Sequence, residues 1–75
     1  MGHDRIIWDP KIMSGKPVIR GTRLPVETVL RWLGKGTPME VLITEYPTLT
    51  REDIFAAQAF AADFLSNERL VTAAE

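Results

Sequence analysis

Residues 14–25 read Ser-Gly-Lys-Pro-Val-Ile-Arg-Gly-Thr-Arg-Leu-Pro, and they constrain the backbone more tightly than any other part of the chain. Pro17 and Pro25 each fix φ and remove a donor, while Gly15 and Gly21 permit positive φ and close backbone approach. Between them lies a single apolar pair, Val18-Ile19, which leaves room only for a very short strand. Three basic side chains, Lys16, Arg20 and Arg23, crowd the same stretch. A generic surface loop does not need its path specified this closely, so this segment is where function is expected.

The rest of the chain divides into short elements. Arg5–Trp8 reads as a strand stopped by Asp9-Pro10, and Val18-Ile19 as a second, with Thr22–Leu24 extending it beyond Gly21. Strands this short pack on helices or pair with a second copy. A first helix is predicted from Pro25 to about Leu33, because Pro25 suits a first helical position and Val26, Val29, Leu30 and Leu33 recur at helical spacing. Gly34 is expected to take the left-handed cap, with Lys35 and Gly36 leading away. Thr37-Pro38-Met39-Glu40 has the form of a capping box opening a second helix, which Pro47 ends near Tyr46. Thr50-Arg51-Glu52-Asp53 forms another, with Asp in place of the commoner Glu, and Leu49 placed to staple onto Ile54. The third helix should reach about Asn67. It is apolar around most of its circumference, which predicts burial on several sides and, in so small a protein, a subunit interface. The expected fold is mainly α with short N-terminal β strands (α+β), a three-helix core of helix-turn-helix type. It is expected to be one domain: residues 1–24 a β and loop element, 25–67 the core and 68–75 a tail.

Bulk composition removes several classes of function. The 75 residues include no cysteine and one histidine, which excludes disulfide staples and thiolate sites and argues against a histidine-based metal or acid–base centre. No apolar run approaches the length of a membrane span and no apolar leader opens the chain, so a cytoplasmic location and no membrane partner are expected. The net charge of -1 hides a division. Residues 1–23 hold five basic and two acidic side chains, for +3, and residues 24–75 hold four and eight, for -4. A basic N-terminal third meets phosphates or an acidic protein.

The residues that bear on chemistry admit more than one reading. The glycine-rich segment is not a phosphate-binding loop of the GxxxxGK[ST] kind, since Lys16 directly follows Gly15 and no lysine follows Gly21. Either Lys16, Arg20 and Arg23 contact DNA phosphates, or an arginine enters an acidic pocket of a partner protein, or the arginines bridge within the chain to Asp9 or Glu27. As a DNA-reading helix the third is weak: Arg51 and Gln58 are its only base-reading candidates, and Glu52 and Asp53 repel phosphate at its docking end. Its Phe55, Phe60 and Phe64, together with Trp8 and Trp32, read as core or interface anchors. No nucleophile, base or metal constellation is present, so neither an enzyme nor a cofactor is expected.

Taken together, Trp8-Asp9-Pro10, Gly15–Arg23, Gly34-Lys35-Gly36, Tyr46–Thr50 and Asp53-Ile54 closely resemble the DUF433 family, described as VapB-type antitoxin-like proteins. The resemblance covers about residues 4–65. It implies a homeodomain-like helix-turn-helix core with an N-terminal β element. It also implies a PIN-like ribonuclease toxin with a metal-binding acidic active site as partner, neutralised by direct binding, and operator DNA bound for autorepression by a homodimer. Lys16, Arg20, Thr22, Arg23, Arg51 and Gln58 are the contact candidates under that reading. The alternatives are a stand-alone helix-turn-helix transcription regulator and a small non-catalytic dimeric interaction module.

Overall fold

A computed structural model describes residues 3–11 and 13–67. Two strands, β1 (Ile6–Ile7) and β2 (Val18–Ile19), precede three helices, α1 (Val26–Gly34), α2 (Met39–Glu45) and α3 (Arg51–Asn67). The strands pair antiparallel with Ile6 opposite Ile19 and Ile7 opposite Val18. This is the expected α+β arrangement of three helices behind a short N-terminal sheet. The expected tail, residues 68–75, lies outside the described residues. No helix among the described residues is long and apolar enough to cross a membrane.

The segment after β2 departs from the expected strand extension. Instead of running on through Thr22–Leu24, the chain reverses. The Thr22 N–H donates to the Ile19 carbonyl at 3.1 Å, the Ile19 N–H to the Leu24 carbonyl at 2.9 Å and the Val26 N–H to the Pro17 carbonyl at 2.9 Å. Val18 thus bridges Pro25 on one edge while pairing with Ile7 on the other. Gly21 makes the reversal possible. It sits third in the Ile19–Thr22 turn at φ +81°, the left-handed value that a type II turn requires there and that a Cβ disfavours.

The helix ends are set by local chemistry, with two differences from expectation. Pro25 stands at the N-cap of α1, one place before the helix proper. The left-handed residue after α1 is Gly36 (φ +94°), not Gly34, which stays helical. The Gly36 N–H reaches the Leu33 carbonyl and the Thr37 N–H reaches Trp32, the paired bonds of a Schellman closure. Thr37 is consumed by that closure and forms no capping box. Pro38 takes the N-cap of α2, without a side-chain cap. Tyr46, preceding Pro47, is extended at φ -120° and ψ 91° and ends α2, as the steric rule for residues before proline demands. At α3 the capping box forms in full: the Asp53 N–H donates to Thr50 Oγ1 at 3.1 Å and the Thr50 N–H to Asp53 Oδ2 at 3.0 Å.

The core gathers Ile19, Val26, Val29, Leu42, Leu49, Ile54 and Ala57 from one strand, three helices and the stapling position before α3. Ile19 and Ile54 are wholly buried. The α1 stripe packs as its spacing predicts, with Leu30 and Leu33 lying partly buried against the core. On α3 the expectation of burial on several sides is met along one face only, since Phe55, Phe64 and Leu65 are substantially exposed.

Candidate functional site: a pinned basic turn

The Arg20–Arg23 turn follows the end of β2 and is fastened from three directions. The Arg20 N–H donates to the Arg5 carbonyl of the neighbouring strand at 2.7 Å. The Thr22 hydroxyl donates to the Ile19 carbonyl at 2.7 Å and accepts from the Leu24 N–H at 3.0 Å. Ile19 anchors the base of the turn in the core. The turn therefore presents Arg20 and Arg23 on a backbone with little freedom left to lose, which reduces the entropic cost of binding. Thr22, a contact candidate by sequence, has both hydrogen-bonding roles of its hydroxyl occupied inside the turn.

Charge pairing separates the basic residues into two groups. Lys16 Nζ lies 3.3 Å from Glu27 Oε2, and Arg31 reaches the same oxygen at 3.6 Å. Arg5 reaches Asp53 Oδ1 at 3.0 Å. Arg51 reaches Glu40 Oε2 at 3.2 Å and so ties α3 to the start of α2. Arg20 and Arg23 are exposed and carry no ion pair among the described residues. The internal bridges to Asp9 or Glu27 weighed from sequence are not made by these arginines. Glu27 serves Lys16 and Arg31, and Asp9 Oδ1 accepts the Lys11 N–H at 2.8 Å.

The Glu40 carboxyl is held below its ordinary pKa, first by its own backbone N–H at the start of α2 and then by the Arg51 guanidinium. A depressed carboxylate pKa stabilises the fold above the unfolded value, about 4.3 for glutamate, and that contribution is lost as pH falls through the folded value. Glu40→Gln is therefore expected to lower stability slightly at neutral pH and to flatten the acid limb, the two proteins converging as pH falls through the folded value. Urea titrations at stepped pH measure it.

The remaining sequence candidates fall in separate places. Trp8 lies against Phe60 and Phe64, with ring centroids 5.5 and 5.7 Å apart, and its indole N–H donates to the Gly15 carbonyl. His3 adds an edge contact to Phe60 at 5.3 Å and a 2.9 Å hydrogen bond to Asp63. Three of the five expected interface aromatics thus form one cluster. Trp32 stands apart, with the Lys35 ammonium 5.1 Å from its ring centre, and Phe55 is 52% exposed on another face of α3. Gln58 is exposed on α3, and Arg51 is engaged with Glu40. Sequence reasoning missed Arg5. Its partner Asp53 is 48 positions away, and no local pattern signals such a pair. Among the described residues no group of three or more His, Cys, Asp or Glu side chains is placed to hold a metal ion.

A short β arm on three helices, with a rigid basic turn at its tip, defines a small α+β class of domain. The DUF433 family model, described as a protein of unknown function, matches residues 6–61, and the chain belongs to that family. The match runs from β1 into α3 and includes the whole turn. The chain is similar to the uncharacterized protein y4eO of Sinorhizobium fredii, 38% identical over 52 residues, 69% of this chain and 24% of that protein. It is also similar to an uncharacterized protein of Archaeoglobus fulgidus, 54% identical over 28 residues, 37% of this chain and 78% of that one. Among solved structures it resembles the crystal structure of a DUF433 member from Anabaena variabilis, with a TM-score of 0.77 at 33% identity. That likeness covers 84% of this chain and 62% of the other. The chain spans about a quarter of the length of y4eO.

Proposed function

We propose that this chain is a non-catalytic, VapB-type antitoxin-like module whose Arg20–Arg23 turn docks on an acidic protein surface, that of a PIN-like ribonuclease. The observation that carries the reading is the sorting of the arginines. Arg5, Arg31 and Arg51 each have a carboxylate partner within the fold, whereas Arg20 and Arg23 stand without one among the described residues, on a backbone that hydrogen bonds already pin. A guanidinium fork pairs bidentately with a carboxylate, and here no existing pair must break first. An acidic nuclease centre is a surface of that chemistry.

Operator DNA is the second ligand in this proposal, reached by the same two arginines through phosphates. The exposed residues of α3 favour the protein partner over base reading, because Glu52 and Asp63 stand beside the apolar Phe55, Phe64 and Leu65. The test is co-expression with the neighbouring nuclease. Complex formation and relief of growth arrest support the reading, and the absence of both overturns it. Replacing both residues, Arg20→Ala with Arg23→Ala, is expected to weaken the complex at least about tenfold while leaving fold stability within about 0.5 kcal/mol of the parent. A mobility-shift assay with the same variant reads the DNA arm, where each lost phosphate contact lowers the salt slope by about 0.9.

A further inference from the structure

Trp32 and Val41 are large apolar side chains left outside the core, 42% and 45% exposed. Local chemistry brings them together. The Schellman closure folds the chain back on the end of α1, with the Thr37 N–H on the Trp32 carbonyl at 3.1 Å. The helix α2 then places Val41 and Glu45, four positions apart, on one side. The result is an open pocket of about 300 Å³ walled by Trp32, Thr37, Val41, Leu42, Glu45 and Tyr46. Its one charged wall is Glu45, which carries no ion pair among the described residues. A second hollow shares Val41 and Glu45 and continues along α2 to Glu40, which Arg51 already holds. No basic residue stands in the last turn of α2 to offset the negative carbonyl end of the helix. The Trp32 ring already draws a cation: the Lys35 ammonium lies 5.1 Å from its centre, although Lys35 is not among the pocket walls.

We infer that this pocket receives an arginine side chain of a partner protein, its guanidinium stacked on Trp32 and paired with Glu45, its aliphatic stem along Val41. A planar guanidinium serves an aromatic face and a carboxylate at once, which the point charge of an ammonium does not. The pocket is small and two of its walls stand nearly half in solvent, so it cannot enclose a free ligand as small-molecule sites do. A protein that brings the arginine supplies the missing cover with its own surface. Tryptophan, tyrosine and arginine are the residues enriched where proteins meet, and two of the three line this pocket already. Neither Arg20 nor Arg23 is among the walls, so the chain carries two binding surfaces of opposite charge. The acidic one is independent of the nuclease docking proposed for the turn.

The test is a proton–nitrogen NMR titration of the full chain with acetyl-Gly-Arg-Gly-amide, set against the same peptide carrying neutral citrulline in place of arginine. Saturable shifts are expected at the Trp32 indole N–H and at the Val41, Glu45 and Tyr46 amides. The arginine peptide is expected to bind at least about threefold more tightly, the combined size of an exposed cation–π contact and an exposed ion pair. Glu45→Gln, a near-isosteric change on an exposed side chain, is expected to remove most of that preference. Trp32→Leu is expected to weaken the arginine peptide at least about twofold and reads the aromatic wall separately. Absence of shifts at these residues up to tens of millimolar peptide overturns the inference. Equal affinities for the two peptides also overturn it, since they would make the pocket merely apolar. Shifts of the same signals with chain concentration alone, abolished by Arg20→Ala with Arg23→Ala, would replace the foreign arginine with the turn of a second copy. The titration needs no nuclease, so its failure leaves the docking of the turn standing.

Discussion

Replacing Asp53 with alanine is expected to lower the unfolding free energy by about 2 kcal/mol, half from the helix cap and half from the bond to Arg5. Asp53 is 5% exposed and its carboxylate divides its two oxygens: Oδ2 accepts the Thr50 N–H and Oδ1 accepts from Arg5. The Arg5 side chain is 51% exposed, so its share is reduced by hydration of the freed guanidinium. For a chain of this length, total stability is on the order of 4–11 kcal/mol, and the loss is a large part of it. The urea midpoint reads the effect. Its consequences reach the basic turn, because the Arg5 that Asp53 holds by its side chain also holds the Arg20 N–H by its carbonyl. Hydrogen exchange at Arg20 should therefore quicken more in Asp53→Ala than the global loss accounts for. A variant within about 0.5 kcal/mol of the parent would show that the clamp contributes little.

Local chemistry was the part of this fold that could be read from the residues. The Thr50–Asp53 box, the stop at Tyr46-Pro47 and the α1 stripe all depend on neighbours within one or two turns, where spacing and side-chain type decide the outcome. Expectation and structure part where two local signals compete. Gly34 and Gly36 both offer a left-handed cap, and the Schellman geometry selects the one whose N–H meets Leu33. Thr37 offers a cap to α2, but its backbone N–H closes α1 instead. Of the candidate site, the over-specified loop was legible because glycine and proline reveal backbone constraint directly. The pairing of its charges was not. Whether an arginine is engaged depends on carboxylates brought near by the tertiary fold, such as Asp53 for Arg5, and three basic residues in one loop give no sign that Lys16 is paired while Arg20 and Arg23 are not. The Trp8–Phe60–Phe64 cluster was hidden likewise, since it joins residues more than 50 positions apart that only the docking of β1 on α3 brings together.

Ile19 and Arg20 are adjacent, and their substitution should separate scaffold from site. Ile19 is wholly buried, and truncation to alanine removes three carbons from a core that recruits few other large side chains. Ile19→Ala is expected to cost about 3 kcal/mol, the lost transfer energy together with the cavity left behind. Its backbone N–H and carbonyl, which close the turn, survive the substitution. The turn should therefore keep its shape in whatever fraction stays folded. Partner affinity per folded molecule should then change little, while the urea midpoint falls steeply. Arg20→Ala is expected to do the reverse, with the midpoint held within about 0.5 kcal/mol and the partner's affinity reduced. Affinity measured at a temperature where both variants remain folded, alongside urea unfolding, reads the two effects separately. Two variants that weakened binding equally would mean that the packing beneath the turn matters to the partner as much as the Arg20 guanidinium does, and scaffold and site would not be separable.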